Sequence, residues 1–141
     1  MADQSVLTVN IVTPDGIIYN HDAQMVIVKA LDGQLGIMPN HEPIVAPLQI
    51  DEVRVKRADK PDQEDSIAVN GGFMEVADNV ASIVADSAER ERDIDVERAH
   101  LAEHRAQELI KAAEAKHDAD ELKRAQIKLR RAMNRIHVAE H

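Results

Sequence analysis

The sequence predicts a β + α protein: an antiparallel β-sandwich or barrel over residues 1–88, then an antiparallel two-helix hairpin over 89–141. Three observations carry this. Apolar residues alternate by twos in the first half, which puts one face of each strand into a core. Turn residues separate those runs at short spacing. After residue 98 the apolar positions step by threes and fours instead.

The strands come first. In SVLTVNIV, Leu7, Val9 and Ile11 alternate with Thr8 and Asn10; in QMVIVKA, Met25, Ile27 and Lys29 oppose Val26 and Val28. Val53 and Val55 alternate with Arg54 and Lys56, and Val80, Ser82 and Val84 oppose Ala81, Ile83 and Ala85. Between these runs lie Pro14-Asp15-Gly16, Asp32-Gly33, Pro39-Asn40, Asp59-Lys60-Pro61-Asp62, Gly71-Gly72 and Asp78-Asn79. No crossover helix separates the runs, so a parallel sheet is not expected.

Two helices follow. Ala99, Ala102, Ala106, Leu109 and Ala113 form one seam; Leu122, Ala125, Leu129, Ala132, Ile136 and Ala139 form the other. Asp118 and Asp120 suit the cap and first turn of the second helix. The seam is mostly alanine. A buried methyl contributes about 0.8 kcal/mol against ~1.5–3 for a Leu or Ile, so helix formation outruns helix pairing. Two readings stay open: a tight permanent hairpin, and stable helices in a changeable arrangement.

Composition narrows the function. Net charge is −9, with 14 acidic and 5 basic residues in 1–88 and 12 of each sign in 89–141. Tyr19 and Phe73 are the only aromatic residues, so the core is aliphatic and no base-stacking platform exists. Acidity and this lack of aromatics argue against nucleic acid as a partner. With no cysteine, thiol catalysis and disulfides are excluded. The segment MADQSVLTV lacks the basic and apolar regions of a leader, and no apolar run approaches the ~20 residues of a membrane span. The expected location is cytoplasmic, with any membrane link made through partners.

Few motifs carry chemistry. HLAEH places His100 and His104 at i, i+4 beside Glu103, as in an inverted zinc-peptidase helix. A catalytic zinc also needs a third ligand and an enclosed cleft, which an alanine-seamed hairpin does not offer, so no metal site is expected. No phosphate loop or nucleophile elbow is present, and Gly33, Gly36, Gly71 and Gly72 read as turn or bulge glycines. The second helix carries Lys123, Arg124, Lys128, Arg130, Arg131 and Arg135 with no acidic residue from 122 to 139. That is either a solvated face or one with an acidic partner or anionic ligand. In IDVERA, Asp93 or Asp95 suits a helix N-terminus, and Asp95 and Arg98 are spaced to pair; as local structure the segment needs no ligand. In a hairpin, however, Arg131 and Arg135 return beside Arg98 and Arg105, a set of guanidinium groups suited to a polyphosphate.

GQLGIMPNHEPIVAPL (33–48), VNGGFMEVADNVASIVADSAE (69–89) and KLRRAMNRIHVAE (128–140) together resemble the ε-subunit family of F-type ATP synthases, in order along the whole chain. Asn40 stands where the family usually has Gly, a replacement that a left-handed turn accepts. The segment 58–65 is longer than usual. The resemblance implies a flattened ten-stranded sandwich that binds the γ subunit and stands on the c-ring as part of the rotor, with Gln34, Met38, Asn40 and His41 on the c-ring and γ side. It implies a hairpin that switches between compact and extended forms. The extended form would inhibit ATP hydrolysis through Lys123, Arg124, Lys128 and Arg130, set against the catalytic β subunits of the α/β head. The pattern I/L-D-x-x-R-A implies ATP as a regulatory ligand, with little or no need for magnesium, held by Glu89, Ile94, Asp95, Arg98, Ala99, Arg105, Arg131 and Arg135. The family further implies a non-catalytic subunit, monomeric when isolated, peripheral on the cytoplasmic face of the cell membrane and not inserted in it. The competing expectations are a stand-alone β-sandwich module with a dimerising hairpin, which requires a homodimer with no affinity for γ, and a metallohydrolase, which requires stoichiometric zinc.

Overall fold

The structure, a computed structural model, describes residues 6–140. Residues 1–5, the start of the segment in which no leader is read, lie outside them, as does His141. The chain divides into two units, residues 1–91 and 92–141.

The first unit contains seven strands: β1 (Leu7–Thr13), β2 (Gly16–Ala30), β3 (Gly33–Ile37), β4 (Ile44–Arg57), β5 (Glu64–Ala77), β6 (Val80–Ala85) and β7 (Ala88–Arg90). Five of them close into a ring, β1-β6-β5-β4-β2 and back to β1. β3 extends β2 and β7 pairs with β5.

Two expectations need correction here. The strands number seven among the described residues, where ten were expected. β2, β4 and β5 run 15, 14 and 14 residues, longer than the short alternating runs read from the sequence. Register breaks in β2 and the glycine pair in β5 let each bend without interruption. Nor is the sheet wholly antiparallel: β1 and β6 run parallel. Direction inverts at each of the four other ring contacts, so the fifth contact of a ring of five must be parallel. The strands between serve as the crossover, and no helix is required.

The alternation places the core as read. Leu7, Val9, Ile11, Val26, Val28, Val53, Val55, Ala81, Ile83 and Ala85 are buried. Tyr19 is the aromatic exception within the aliphatic interior: its ring is buried and its hydroxyl donates to Asp65 Oδ2 at 2.6 Å. Burial, then the Asp65 carboxylate, pushes that hydroxyl above the ordinary tyrosine range. Arg90 of β7 lies 5.3 Å from the Tyr19 ring centroid, and Arg57 forms a two-point ion pair with Asp59 at 2.9 and 2.8 Å. Arg57 of β4 also lies 3.8 Å from Asp65 of β5, so the cluster links β2, β4, β5 and β7 at one place on the barrel.

A 3-10 turn, Glu91–Asp93, spans the boundary, and the second unit continues with α1 (Val96–Ala115) and α2 (Ala119–Glu140). His117, in the left-handed region at φ 55°, reverses the chain, and Asp118 Oδ1 accepts from Glu121 N at 3.1 Å as the cap of α2. The buried seam consists of Ala99, Ala106 and Ala113 on α1 and includes Ala125 and Ala132 on α2. Ala102, Leu122, Leu129, Ile136 and Ala139 are half-buried, while Leu109 is 41% exposed and lies at the margin. Alanine contact lets the helix axes approach closely, which leaves little room for a leucine between them.

Gly72 shows what the closed barrel demands. Its φ is +126°, and an added Cβ would run into the backbone carbonyl of Val84 on the neighbouring strand. Gly16, at φ +122°, has open space around it. Gly72→Ala is expected to destabilise the barrel by more than about 2 kcal/mol, from strain and overlap together. Gly16→Ala is expected to cost about 1 kcal/mol, from strain alone. Urea unfolding of the two variants checks the difference.

Candidate functional site

The start of α1 is built as the IDVERA pattern suggests. Asp95 is extended at φ −83° and ψ 102°, and its Oδ1 accepts from Arg98 N at 3.1 Å. Asp95 is therefore the cap, and it engages the Arg98 backbone. Ile94 and Ala99 are buried on either side of it, while the Arg98 side chain is exposed.

The hairpin sets the arginines at comparable levels along its axis. His100 Nε2 meets Glu140 Oε1 at 3.0 Å, which sets the start of α1 beside the end of α2. Counting inward from that contact at about 1.5 Å per residue, Arg105 and Arg135 stand at one level, with Arg131 about one turn deeper. Arg98 and Arg105 are separated along α1 by about 10 Å on the same count. All four occupy the half of the hairpin nearest its open end. Arg105 is exposed; Arg131 and Arg135 are half-buried. Arg131 Nε is buried and makes no hydrogen bond within the described residues. A buried guanidinium N–H without an acceptor is costly, and an anion satisfies it. Glu89 lies in β7, in the barrel unit.

The remaining expected positions sort simply. Lys123, Arg124, Lys128 and Arg130 are all exposed along α2. Gln34 is exposed in β3, and Met38, 56% exposed, precedes the exposed Asn40 and His41 in the loop between β3 and β4. Asn40 has φ 67°, the left-handed geometry for which asparagine substitutes for glycine. In the HLAEH segment, His100 bonds Glu140 and lies 3.6 Å from Glu103, and His104 is exposed. Among the described residues no cluster of His, Asp and Glu is placed to hold a metal, and no helix is long and apolar enough to cross a membrane.

One feature escapes sequence reasoning. Register sets Val84 of β6 opposite both Val12 of β1 and Phe73 of β5, and Phe73 opposite Pro47 of β4. Leu31 joins this row, its N–H donating to Pro47 O at 3.2 Å. Leu31, Phe73 and Val84 are 61%, 45% and 43% exposed, and Pro47 is exposed as well. The barrel thus carries an apolar row across its outer surface. The available signal was apolar residues at outward positions of strands that already had a buried face, Val84 among them.

Residues 6–91 match the family described as ATP synthase, Delta/Epsilon chain, beta-sandwich domain; residues 92–140 match ATP synthase, Delta/Epsilon chain, long alpha-helix domain. The chain belongs to the ATP synthase delta/epsilon family. Within this family, the ATP synthase epsilon chain of Latilactobacillus sakei subsp. sakei (strain 23K) is 64% identical over 139 residues, covering 99% of this chain and 96% of the relative. The ATP synthase epsilon chain of Lacticaseibacillus casei (strain BL23) is also 64% identical, covering 98% and 97%. The fold is shared with a chain in the cryo-EM structure of the Euglena gracilis mitochondrial ATP synthase, OSCP/F1/c-ring in rotational state 1. That likeness has a TM-score of 0.80 at 20% identity and covers 100% of this chain and 85% of the other.

The clasp at the open end of this delta/epsilon hairpin is pH-dependent. Glu140 first, and Glu103 beside it, raise the His100 pKa above its ordinary 6.5. The folded value exceeds the unfolded one, so the clasp is fully present below 6.5 and is lost as pH rises through the raised value. Glu140→Gln is expected to bring the His100 midpoint down toward the ordinary value. An NMR titration of the imidazole in both proteins measures the shift.

Proposed function

We propose that this chain is the rotor subunit of the central stalk, with its barrel docked between the γ subunit and the c-ring of the ATP synthase. The observation that carries the reading is the outward apolar row Leu31, Pro47, Phe73 and Val84. Contiguous apolar surface on a closed barrel marks a protein interface. A γ helix or strand laid across that row removes it from water. The loop bearing Met38, Asn40 and His41, with Gln34 nearby on β3, meets the c-ring. The protein sits on the cytoplasmic face of the membrane through these partners.

The hairpin is the regulatory part. Lys123, Arg124, Lys128 and Arg130 offer α2 an unbalanced basic face, complementary to acidic loops of the catalytic β subunits when the hairpin extends. Extension in that position blocks rotation and inhibits ATP hydrolysis. ATP holds the closed form. Arg98, Arg105, Arg131 and Arg135 neutralise its phosphates, and the buried Nε of Arg131 supports an anionic ligand at this place. Asp95 spends one oxygen on the cap and keeps the other for the ribose or base. Ile94 and Ala99 supply the apolar edge nearest the adenine. The charge is met by side chains, so binding needs little or no magnesium.

The energy scale suits a switch. A ligand at 100 times its dissociation constant stabilises the form that binds it by about 2.7 kcal/mol. An alanine seam, at about 0.8 kcal/mol per methyl, leaves open and closed hairpins close enough in free energy for that to decide.

Two measurements test the reading. In a pull-down with γ, the wild-type chain is expected to be retained, and Phe73→Asp to be lost while its barrel still unfolds cooperatively. Retention of Phe73→Asp at full strength would move γ off the apolar row. In calorimetric titration with ATP, Arg98→Ala and Arg131→Ala are each expected to weaken binding about tenfold or more, the scale of a charge-assisted hydrogen bond. Absence of heat from the wild type at several times millimolar ATP would leave the arginines as a basic surface only.

A further inference from the structure

The loop assigned to the c-ring is not free-standing. Asn40 donates its backbone N–H to the side chain of Asn79, Oδ1, at 2.6 Å, and Asn79 Nδ2 donates back to Asn40 Oδ1 at 3.4 Å. The two residues are 39 apart in sequence. Asn79 lies in the two-residue turn between β5 and β6, where Asp78 has φ 51° and Asn79 φ 63°. Two consecutive left-handed residues make the tight hairpin turn that matches strand twist. The turn is itself anchored, since Thr8 of β1 donates its N–H to Asn79 O at 2.9 Å. β1 therefore holds the turn, the turn holds Asn40, and Asn40 sits between the exposed Met38 and His41.

We propose that Asn79 is a positioning residue for the c-ring contact, holding the Met38–His41 loop in its docking shape from the β5–β6 turn. This rests on the assignment of that loop to the c-ring. A left-handed Asn40 in an exposed loop has many competing conformations, and each must be given up on binding if the loop is unrestrained. The paired amides remove that cost beforehand. A short side chain on a tight turn suits the task, because few torsions lie between the anchored backbone and the amide.

Asn79→Gly keeps the left-handed turn and deletes only the side chain; Asn79→Asp keeps the acceptor for the Asn40 N–H. In the full chain, amide hydrogen exchange at Asn40 and affinity for a γ–c-ring subcomplex are measured together with the thermal midpoint of the barrel. In Asn79→Gly, exchange at Asn40 is expected to quicken and affinity to fall about tenfold, the scale of fixing one backbone residue, at an unchanged midpoint. Asn79→Asp is expected to restore both. Unchanged exchange in Asn79→Gly overturns the proposal. So does quickened exchange with undiminished affinity: if Met38→Ser weakens binding in that case, the loop docks without its clamp. If Met38→Ser also has no effect, the loop does not meet the c-ring, and the proposal falls with that assignment.

Discussion

Closure of five strands into a ring is the constraint on which the first unit depends. It leaves no open edge among β1, β2, β4, β5 and β6, and so removes the hazard of unpaired N–H and C=O groups. It also dictates the parallel β1–β6 pair. That pair brings Thr8 beside the β5–β6 turn and Val12 beside Val84. Both the clamp on the Asn40 loop and the apolar row thus derive from closure. Gly72 sits where β5 passes close to Val84, and a side chain there would part the strands.

In the helical unit the governing quantity is the small size of alanine. Ala99, Ala106, Ala113, Ala125 and Ala132 favour helix formation individually and contribute little to helix pairing. The helices are fixed at their ends by polar groups: Asp95 at the start of α1, His117 and Asp118 at the reversal, and His100 with Glu140 at the open end. Such contacts are exposed and sensitive to pH and salt. Parting a hairpin built this way costs less apolar burial than parting a leucine-packed seam.

Charge is divided along the chain in a way that suits the proposed roles. The acidic excess lies before residue 89, and the unbalanced cations lie on α2. The arginines differ in setting: Arg98 and Arg105 are open to solvent, while Arg131 and Arg135 are partly withdrawn from it. Withdrawn guanidinium groups gain more from an anion than exposed ones, since their water has already been given up.

Local pattern was enough to determine the strand faces, the helix caps, most of the seam and every expected turn but Gly71-Gly72, which lies inside β5. Each of these is a relation among residues a few positions apart. Leu7, Val9 and Ile11 face inward because side chains alternate along a strand, and Asp118 caps α2 because its side chain reaches an N–H three residues on. Motif order along the chain was enough for the family. What local pattern could not reach was decided by contacts between distant residues. Tyr19 meets Asp65 across 46 positions, Asn40 meets Asn79 across 39, and His100 meets Glu140 across 40. The strand count and the parallel pair belong to the same class. An alternating run does not say how far it continues through a bend, nor which strand will lie beside it when the ring closes. Only the tertiary structure settles that, because closure is a property of all five strands together.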